Sequence, residues 1–194
     1  MITHQSVDEI KTGIQAIQQV MTSVMKKDMH YGTIPGCGDK PVLLKPGAEK
    51  IMSTFRIAPQ FEVVDLSTNN ECGYRVTAIG TYAPNGNFLG QGIGECSSNE
   101  EKFKWRASIC DEEFDATPEN RRREKWKKGY KAKPPYKIKQ IREEHADKAN
   151  TVLKMAKKRA CIDMILTVTA ASDIFNQDLD DDMDREVNNE EKSK

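Results

Sequence analysis

Residues 148–175 read KANTVLKMAKKRACIDMILTVTAASDIF, and the expected fold is built around this stretch. Its apolar residues recur at spacings of three and four, which is typical of a helix with one buried face. These positions are Ala149, Val152, Leu153, Ala156, Ala160 and Ile165. Lys154, Lys157 and Lys158 fall on the opposite side, with Arg159 beside them. We therefore predict a long helix, from about residue 142 to residue 170, whose polar side suits a polyanion.

The cation cluster contains no acid between Lys154 and Arg159, so local pairs four residues apart cannot neutralise it. Repulsion among the like charges is a cost that bound phosphates would relieve, and counterion release would give affinity without sequence preference. The alternative is an ordinary solvated helix face, which is the usual role of a run of charges. The cluster favours phosphate binding and leaves that simpler alternative open.

Three strand candidates precede the helix, at residues 58–66, 74–83 and 88–97, where β-branched or aromatic residues partly alternate. Pro84-Asn85-Gly86-Asn87 is a strong turn signal, so the second and third candidates are predicted to form a hairpin. The run Gly90-Gln91-Gly92-Ile93-Gly94 lacks the spacing of a nucleotide-binding loop and lies inside the third candidate. Its glycines indicate a bend or the close approach of another backbone.

Two helices are predicted before the strands. Ser6 and Glu9 form a capping box for the first, which extends to about residue 27, and the second spans residues 47–55. Residues 100–109 are predicted to add a short helix after the strands. The order favours an α+β fold, in which a three-stranded antiparallel β-sheet (a β-β-β-α core) is packed by a long C-terminal helix, with N-terminal helices and a basic insertion.

Charge is segregated along the chain, although the formal net charge is zero. Residues 121–142 hold eleven Lys and Arg against one acid, whereas residues 173–194 hold nine Asp and Glu against three cations. This asymmetry indicates a basic binding surface and an acidic tail. We predict a single domain at residues 1–177, with an exposed basic insertion at 110–142 that is partly disordered or ordered only on binding. A disordered acidic tail is expected at residues 178–194.

Cations alternate with aromatic rings just after the third strand, in Lys102, Phe103, Lys104, Trp105 and Arg106. Basic residues bind a phosphate backbone while rings stack on bases, at about 1–3 kcal/mol per base, so this segment is a second candidate contact for single-stranded DNA. The alternative is that Phe103 and Trp105 close the end of the core. The same mixture recurs more loosely in the basic insertion, at Trp126, Tyr130 and Tyr136. There a flexible basic linker is the better interpretation.

Several classes of site find no support in the sequence. The five cysteines are scattered without a Cys-x-x-Cys pair and the histidines number three, so we predict no metal site and no cofactor. No catalytic signature is present, and we predict a binding protein that is not an enzyme. Neither a signal peptide nor an apolar run of about 18 residues is found, so we expect a cytoplasmic protein without membrane contact.

Three segments carry a resemblance to a known family. They are LKPGAEKIMSTFRIAPQFEVV (44–64), YRVTAIGTYAPNGNFLGQGIGECSS (74–98) and NTVLKMAKKRACIDMILTVTAASDIF (150–175). Their order and spacing resemble the phage-type single-strand annealing proteins of the Rad-fifty-two-like superfamily, of which the phage Erf and RecT/Red-beta groups are functional counterparts. The three segments together contain 72 of the 194 residues of the chain.

The resemblance implies assembly into rings or filaments, with single-stranded DNA in a basic groove shared between subunits. It also implies ATP-independent annealing of complementary strands during phage homologous recombination, in the cytoplasm of a bacterial host. The groove cations would be Lys154, Lys157, Lys158 and Arg159, with Lys50 and Arg56 as additions. The chain departs from the family pattern between residues 107 and 147, where only Cys110 remains of a Cys-rich insertion.

Two other functions stay open at this point. The first is a module that binds and protects single-stranded DNA, or recruits a partner to it, without annealing activity. The second is a metal-dependent nuclease whose metal site the sequence does not reveal. A single-stranded-DNA-binding protein or an exonuclease would be a further partner of an annealing protein.

Overall fold

The computed structural model describes residues 6–33, 40–127, 129 and 134–176. The helices are α1 (Val7–Ser23), α2 (Lys45–Phe55), α3 (Glu101–Lys104), α4 (Asp111–Ala116) and α5 (His145–Thr169). The strands are β1 (Tyr31–Gly32), β2 (Val42–Leu43), β3 (Ile57–Asp65), β4 (Gly73–Tyr82), β5 (Asn87–Ser97), β6 (Trp105–Ala107), β7 (Arg122–Lys127) and β8 (Tyr136–Arg142). Two single 3-10 turns lie at Glu119–Arg121 and Ala171–Asp173.

The predicted fold class is confirmed: the three-stranded antiparallel sheet β3-β4-β5 packs against the long helix α5 in an α+β arrangement. Each of the three predicted strands agrees with the observed strand to within one residue at both ends, and α5 agrees to within about three. The chain divides into two compact units. Unit 1 comprises the described parts of residues 1–63, 76–95 and 156–194, and unit 2 those of 64–75 and 96–155.

In unit 1, α5 approaches β5 closely because both elements carry small residues where they meet. A Cβ added at Gly92 would lie 2.1 Å from the backbone nitrogen of Met164, and one added at Gly94 would lie 2.4 Å from that of Ala160. On the helix, Ala156 and Ala160 are fully buried. The predicted close approach of another backbone at these glycines is confirmed.

The outer edge of β5 is covered by two side chains of α5 that are four residues apart. The backbone N–H of Ile93 donates to the Asp163 carboxylate at 2.8 Å, and the Arg159 guanidinium donates to the carbonyl of Glu95. An edge strand with unpaired backbone groups is a template for pairing with another strand. Arg159 and Asp163 therefore close the middle of this edge, while β3 forms the opposite edge of the sheet.

The N-terminal helices follow the sequence pattern with small differences at their ends. The capping box is confirmed, since the Ser6 hydroxyl accepts from the backbone of Glu9 and the Glu9 carboxylate accepts from the backbone of Ser6. α1 ends at Ser23, about four residues before the predicted end, and α2 begins two residues early with Pro46 in its first turn. Arg56 ends α2 in the left-handed conformation, with φ of 54°, and leads directly into β3.

Unit 2 corrects the prediction for residues 110–142. Instead of a loosely structured insertion, the described residues there form α4, a 3-10 turn, β7 and β8, and the sheet order is β6-β8-β7. The predicted helix at 100–109 is likewise shorter, because Trp105–Ala107 pairs with β8 as a strand. Phe114 and Ile141 are buried and supply a small apolar centre.

Ion pairs explain how the basic segment at residues 121–142 forms part of a sheet. Carboxylates from elsewhere in unit 2 pair with Arg121, Arg122, Arg123, Lys125 and Lys139, and Lys137 pairs with Glu124 inside the segment. The outside partners are Glu101, Asp111, Asp115 and Glu144. Those acids lie up to 28 residues from the cations they pair with, the longest separation being that of Asp111 and Lys139, so the local excess of positive charge concealed the pairing.

Two predictions fall outside the described residues. They are the acidic tail at residues 178–194 and the contribution of Tyr130 to the basic insertion. The proposal that residues 1–177 act as one functional domain stays a prediction. In the part of the chain that the structure describes, every helix is too short or too polar to span a bilayer.

Candidate nucleic-acid interface

The side chains of α5 are more exposed in its earlier turns than in its later ones. Between residues 162 and 166 the side chains of Ile162, Met164, Ile165 and Leu166 are all buried. In the earlier turns, Asn150, Thr151, Lys154 and Lys157 are exposed at spacings that place them on one side of the helix. Lys154 lies in the part of α5 that belongs to unit 2 and Lys157 in the part that belongs to unit 1, and we call these two lysines of the one helix the α5 stripe. It is the accessible part of the predicted cation cluster.

Lys157 is held in a defined position by a ring of the sheet. Its ammonium lies 4.1 Å from the centroid of the half-buried Phe61 ring on β3, a distance that gives a favourable cation–π interaction. This contact limits where the flexible side chain points while leaving the ammonium accessible. Sequence reasoning missed Phe61, because a strand aromatic is expected in a core and its helix partner is almost a hundred residues away.

The pKa of the Cys161 thiol, one turn of α5 after Lys157, depends on the charged side chains around it. Burial raises the pKa of the Cys161 thiol, Glu49 of α2 adds to the rise, and Lys157 and Lys45 oppose it. Lys45 and Glu49 form an exposed pair at 3.6 Å, one turn apart on α2. The Cys161 thiol is therefore within electrostatic reach of both Lys157 and the Lys45–Glu49 pair of α2.

The four members of the predicted cation cluster are not equivalent. Within the described residues, no carboxylate lies within salt-bridge distance of Lys154 or Lys157, and both side chains are exposed. Lys158 and Arg159 are half-buried and engaged in contacts of the protein itself, and Arg159 closes the β5 edge. The structure thus brings the cluster together on one helix but leaves two of its cations available to a ligand.

The additional cations at Lys50 and Arg56 are both exposed, Lys50 on α2 and Arg56 at its C-terminal end. Lys50 contributes its backbone carbonyl to a hydrogen bond from the Thr54 hydroxyl, at 2.9 Å. Nothing in the described contacts occupies either side-chain charge. They stay candidate contacts in unit 1.

The alternating segment at 102–106 is occupied by contacts within unit 2. Lys102 lies 3.7 Å from Glu100 and over the buried Phe103 ring, and the Arg123 guanidinium lies 4.2 Å from the centroid of Trp105. Lys104 is half-buried, and its backbone carbonyl accepts a hydrogen bond from the backbone N–H of Glu143. Arg106 pairs with Glu113 and Glu143. These contacts favour the alternative in which the segment closes a core.

The Arg106–Glu113 pair predicts a dependence of unit 2 stability on pH. Arg106, with the backbone N–H of Ile109, lowers the pKa of Glu113 from 4.5 to about 2. Because the folded-state value lies below the unfolded one, the stabilisation is complete above pH 4.5 and is lost as the pH falls towards 2. Denaturant unfolding of the parent and of Glu113→Gln should differ by a constant amount above pH 5, and the difference should shrink below it. An unchanged difference at pH 2 would contradict this prediction.

A pair formed by the buried Ser98 and the half-buried His145 lies in unit 2. Ser98 is 1% exposed, its hydroxyl accepts the backbone N–H of Cys72, and it lies 2.8 Å from Nδ1 of His145. Arg142 lies 3.3 Å from Nε2. The two ring nitrogens of His145 are thus each engaged, Nδ1 with Ser98 and Nε2 with Arg142. The pair links the residue after β5 to the first residue of α5.

No group of three or more His, Cys, Asp or Glu side chains placed to hold a metal ion occurs among the residues with described positions. Comparison of the chain with protein-family models, with curated proteins and with solved structures found no significant match.

Proposed function

We propose that the protein binds single-stranded DNA along the α5 stripe and anneals complementary strands without ATP, in phage homologous recombination. The observation that carries the proposal is the pair of exposed lysines, Lys154 and Lys157, with no carboxylate within salt-bridge distance of them among the described residues. The two lysines are three residues apart, which places them on the same side of α5. The resemblance of residues 44–64, 74–98 and 150–175 to annealing proteins supports the same function.

Two lysines in one protomer are too few for tight binding. Each phosphate neutralised on a single strand adds about 0.7 to the slope of log affinity against log salt, so one stripe gives a weak and salt-sensitive contact. Repeating the stripe along a homo-oligomer would multiply the contacts on one strand. We therefore include a ring or filament of identical subunits in the proposal.

Annealing follows from how such a surface holds its ligand. Ammonium groups contact phosphates, so the edges of the bases stay available to a complementary strand. Neutralised backbones also repel one another less, which favours the meeting of two strands. This chemistry needs neither a catalytic residue nor a cofactor. A cytoplasmic location in a bacterial host, and a single-stranded-DNA-binding protein or an exonuclease as partner, belong to the same proposal.

A strand-annealing assay tests the proposed function. Two complementary labelled oligonucleotides are mixed with the protein in EDTA without ATP, and duplex formation is followed by fluorescence transfer. We expect faster annealing than without protein, and a higher particle mass when an oligonucleotide is bound. Binding without acceleration would instead support a protective or recruiting module. Cleavage that appears on adding magnesium would support a nuclease, and no binding at all would overturn the proposal.

A further inference from the structure

The far end of the β7–β8 hairpin in unit 2 exposes two aromatic rings. Trp126 is 64% exposed and Tyr136 is 50% exposed. They are in neighbouring positions of the antiparallel register, in which Trp126 pairs with Lys137 and Lys127 pairs with Tyr136. The other tryptophan, Trp105, is half-buried under the Arg123 guanidinium. An exposed tryptophan contributes little to a core, so Trp126 needs another explanation.

Each ring at this end has a lysine directly across from it. Side chains of successive strand residues point to opposite faces, so Trp126 and Lys137 share one face and Lys127 and Tyr136 share the other. The Lys137 ammonium lies 5.4 Å from the centroid of the Trp126 ring. Both faces of the ribbon therefore offer an aromatic surface with a cation beside it.

Positive side chains outnumber negative ones around the two rings. Glu101 serves two cations, Arg123 and Lys125, and Glu124 pairs with Lys137 at 2.7 Å. Lys127 has no carboxylate within salt-bridge distance among the described residues. Four cations thus face two carboxylates, and the end of the hairpin is positively charged.

We propose that this end of the hairpin is a second contact for single-stranded nucleic acid, distinct from the α5 stripe. Trp126 on one face and Tyr136 on the other each stack on an unpaired base, and Lys127, which has no described carboxylate partner, lies where the adjoining phosphates pass. This second contact rests on the proposed function in one point, because both assign single-stranded nucleic acid as the ligand. A membrane surface fits less well, because a lysine across from each ring interrupts any apolar surface that could enter a bilayer.

Tryptophan fluorescence tests the stacking directly, because the chain contains two tryptophans. Trp105→Phe leaves Trp126 as the reporter and keeps an aromatic ring beneath Arg123. Oligothymidylate and oligouridylate should both quench its emission to saturation. A duplex of the same length, whose bases are already stacked, and inorganic polyphosphate, which has charge without bases, should quench little. The reciprocal variant Trp126→Phe reports from the covered Trp105 and should respond weakly to every ligand.

A second measurement asks whether the stacking contributes to affinity. Trp126→Ala is expected to weaken oligothymidylate binding about 5- to 150-fold, which corresponds to the loss of one stacked base. Trp126→Phe retains a ring and should weaken it less. Normal affinity and annealing together with an unquenched Trp126 would overturn this inference and leave the proposed function intact. Quenching or a blue shift caused by phosphatidylserine vesicles, but not by oligonucleotides, would overturn it in favour of a membrane contact.

Discussion

Gly92→Ala is expected to destabilise unit 1 by about 3 kcal/mol or more, the largest stability effect that we foresee for a single methyl group. The added Cβ would lie 2.1 Å from the backbone nitrogen of Met164 and 2.7 Å from the carbonyl oxygen of Ala160. Backbone atoms of a packed helix cannot rotate away as a side chain can, so α5 and β5 would have to separate. Denaturant unfolding followed by circular dichroism measures the loss.

A graded series of glycine variants provides the controls. Gly94→Ala should behave like Gly92→Ala, because its Cβ would meet the backbones of Ala160 and Ala156 at 2.4 and 2.5 Å. Gly90→Ala should cost less, since its nearest neighbour is the side chain of Val168 at 2.6 Å, which can change rotamer. Gly13→Ala in α1 meets nothing within 4 Å and should stabilise the protein by up to about 1 kcal/mol. Equal effects at Gly90 and Gly92 would contradict the described packing.

Reversing both charges of the α5 stripe is expected to abolish most of the DNA affinity. In Lys154→Glu/Lys157→Glu, two attractive contacts per subunit become repulsive, and we expect a loss of more than about 100-fold at low salt. The neutral variant Lys154→Ala/Lys157→Ala should lower the salt slope by about 1.4 per subunit, at roughly 0.7 for each phosphate contact on a single strand. Fluorescence anisotropy of labelled oligothymidylate at several salt concentrations gives both quantities.

The matched control changes the net charge by the same amount elsewhere. Lys11 and Lys26 are exposed in the N-terminal part of unit 1, so Lys11→Glu/Lys26→Glu carries the same total charge as the stripe variant. Its affinity should fall far less, because screening weakens charges that do not touch the ligand. Similar losses in both double variants would show that overall charge, and not the stripe, governs binding. Circular dichroism should show that each variant retains its helices.

The regular elements of unit 1 could be predicted because their signals are local. The three strands and α5 follow the periods of their apolar residues, and Gly92 and Gly94 indicated a bend or the close approach of another backbone, of which the structure has the close approach. Unit 2 could not be predicted in this way. Its second sheet depends on carboxylates such as Glu101 and Asp111 that are distant in sequence from the cations they neutralise. A count of local charge therefore suggested a loose, open insertion.

For the candidate interface, the sequence located the cluster but not the role of each member. Lys154 and Lys157 are exposed as expected of ligand-binding cations. Arg159 belongs to the same run, yet its direction around the helix turns it towards the carbonyl of Glu95. That distinction depends on which side of α5 meets β5, which a one-dimensional pattern of charges does not contain.

The closed edge of β5 limits how copies of this chain can associate. If one sheet is to continue from subunit to subunit around a ring, each subunit needs two different free edge strands, one for each neighbour. In this chain the Arg159 and Asp163 side chains already bond the backbone of the edge strand β5, so a strand from another subunit would have to displace both side chains. Main-chain pairing of β3 with β3 would stop at two copies, which leaves side-chain contacts, or the edge strands β6 and β7 of the second sheet, to join a larger closed assembly.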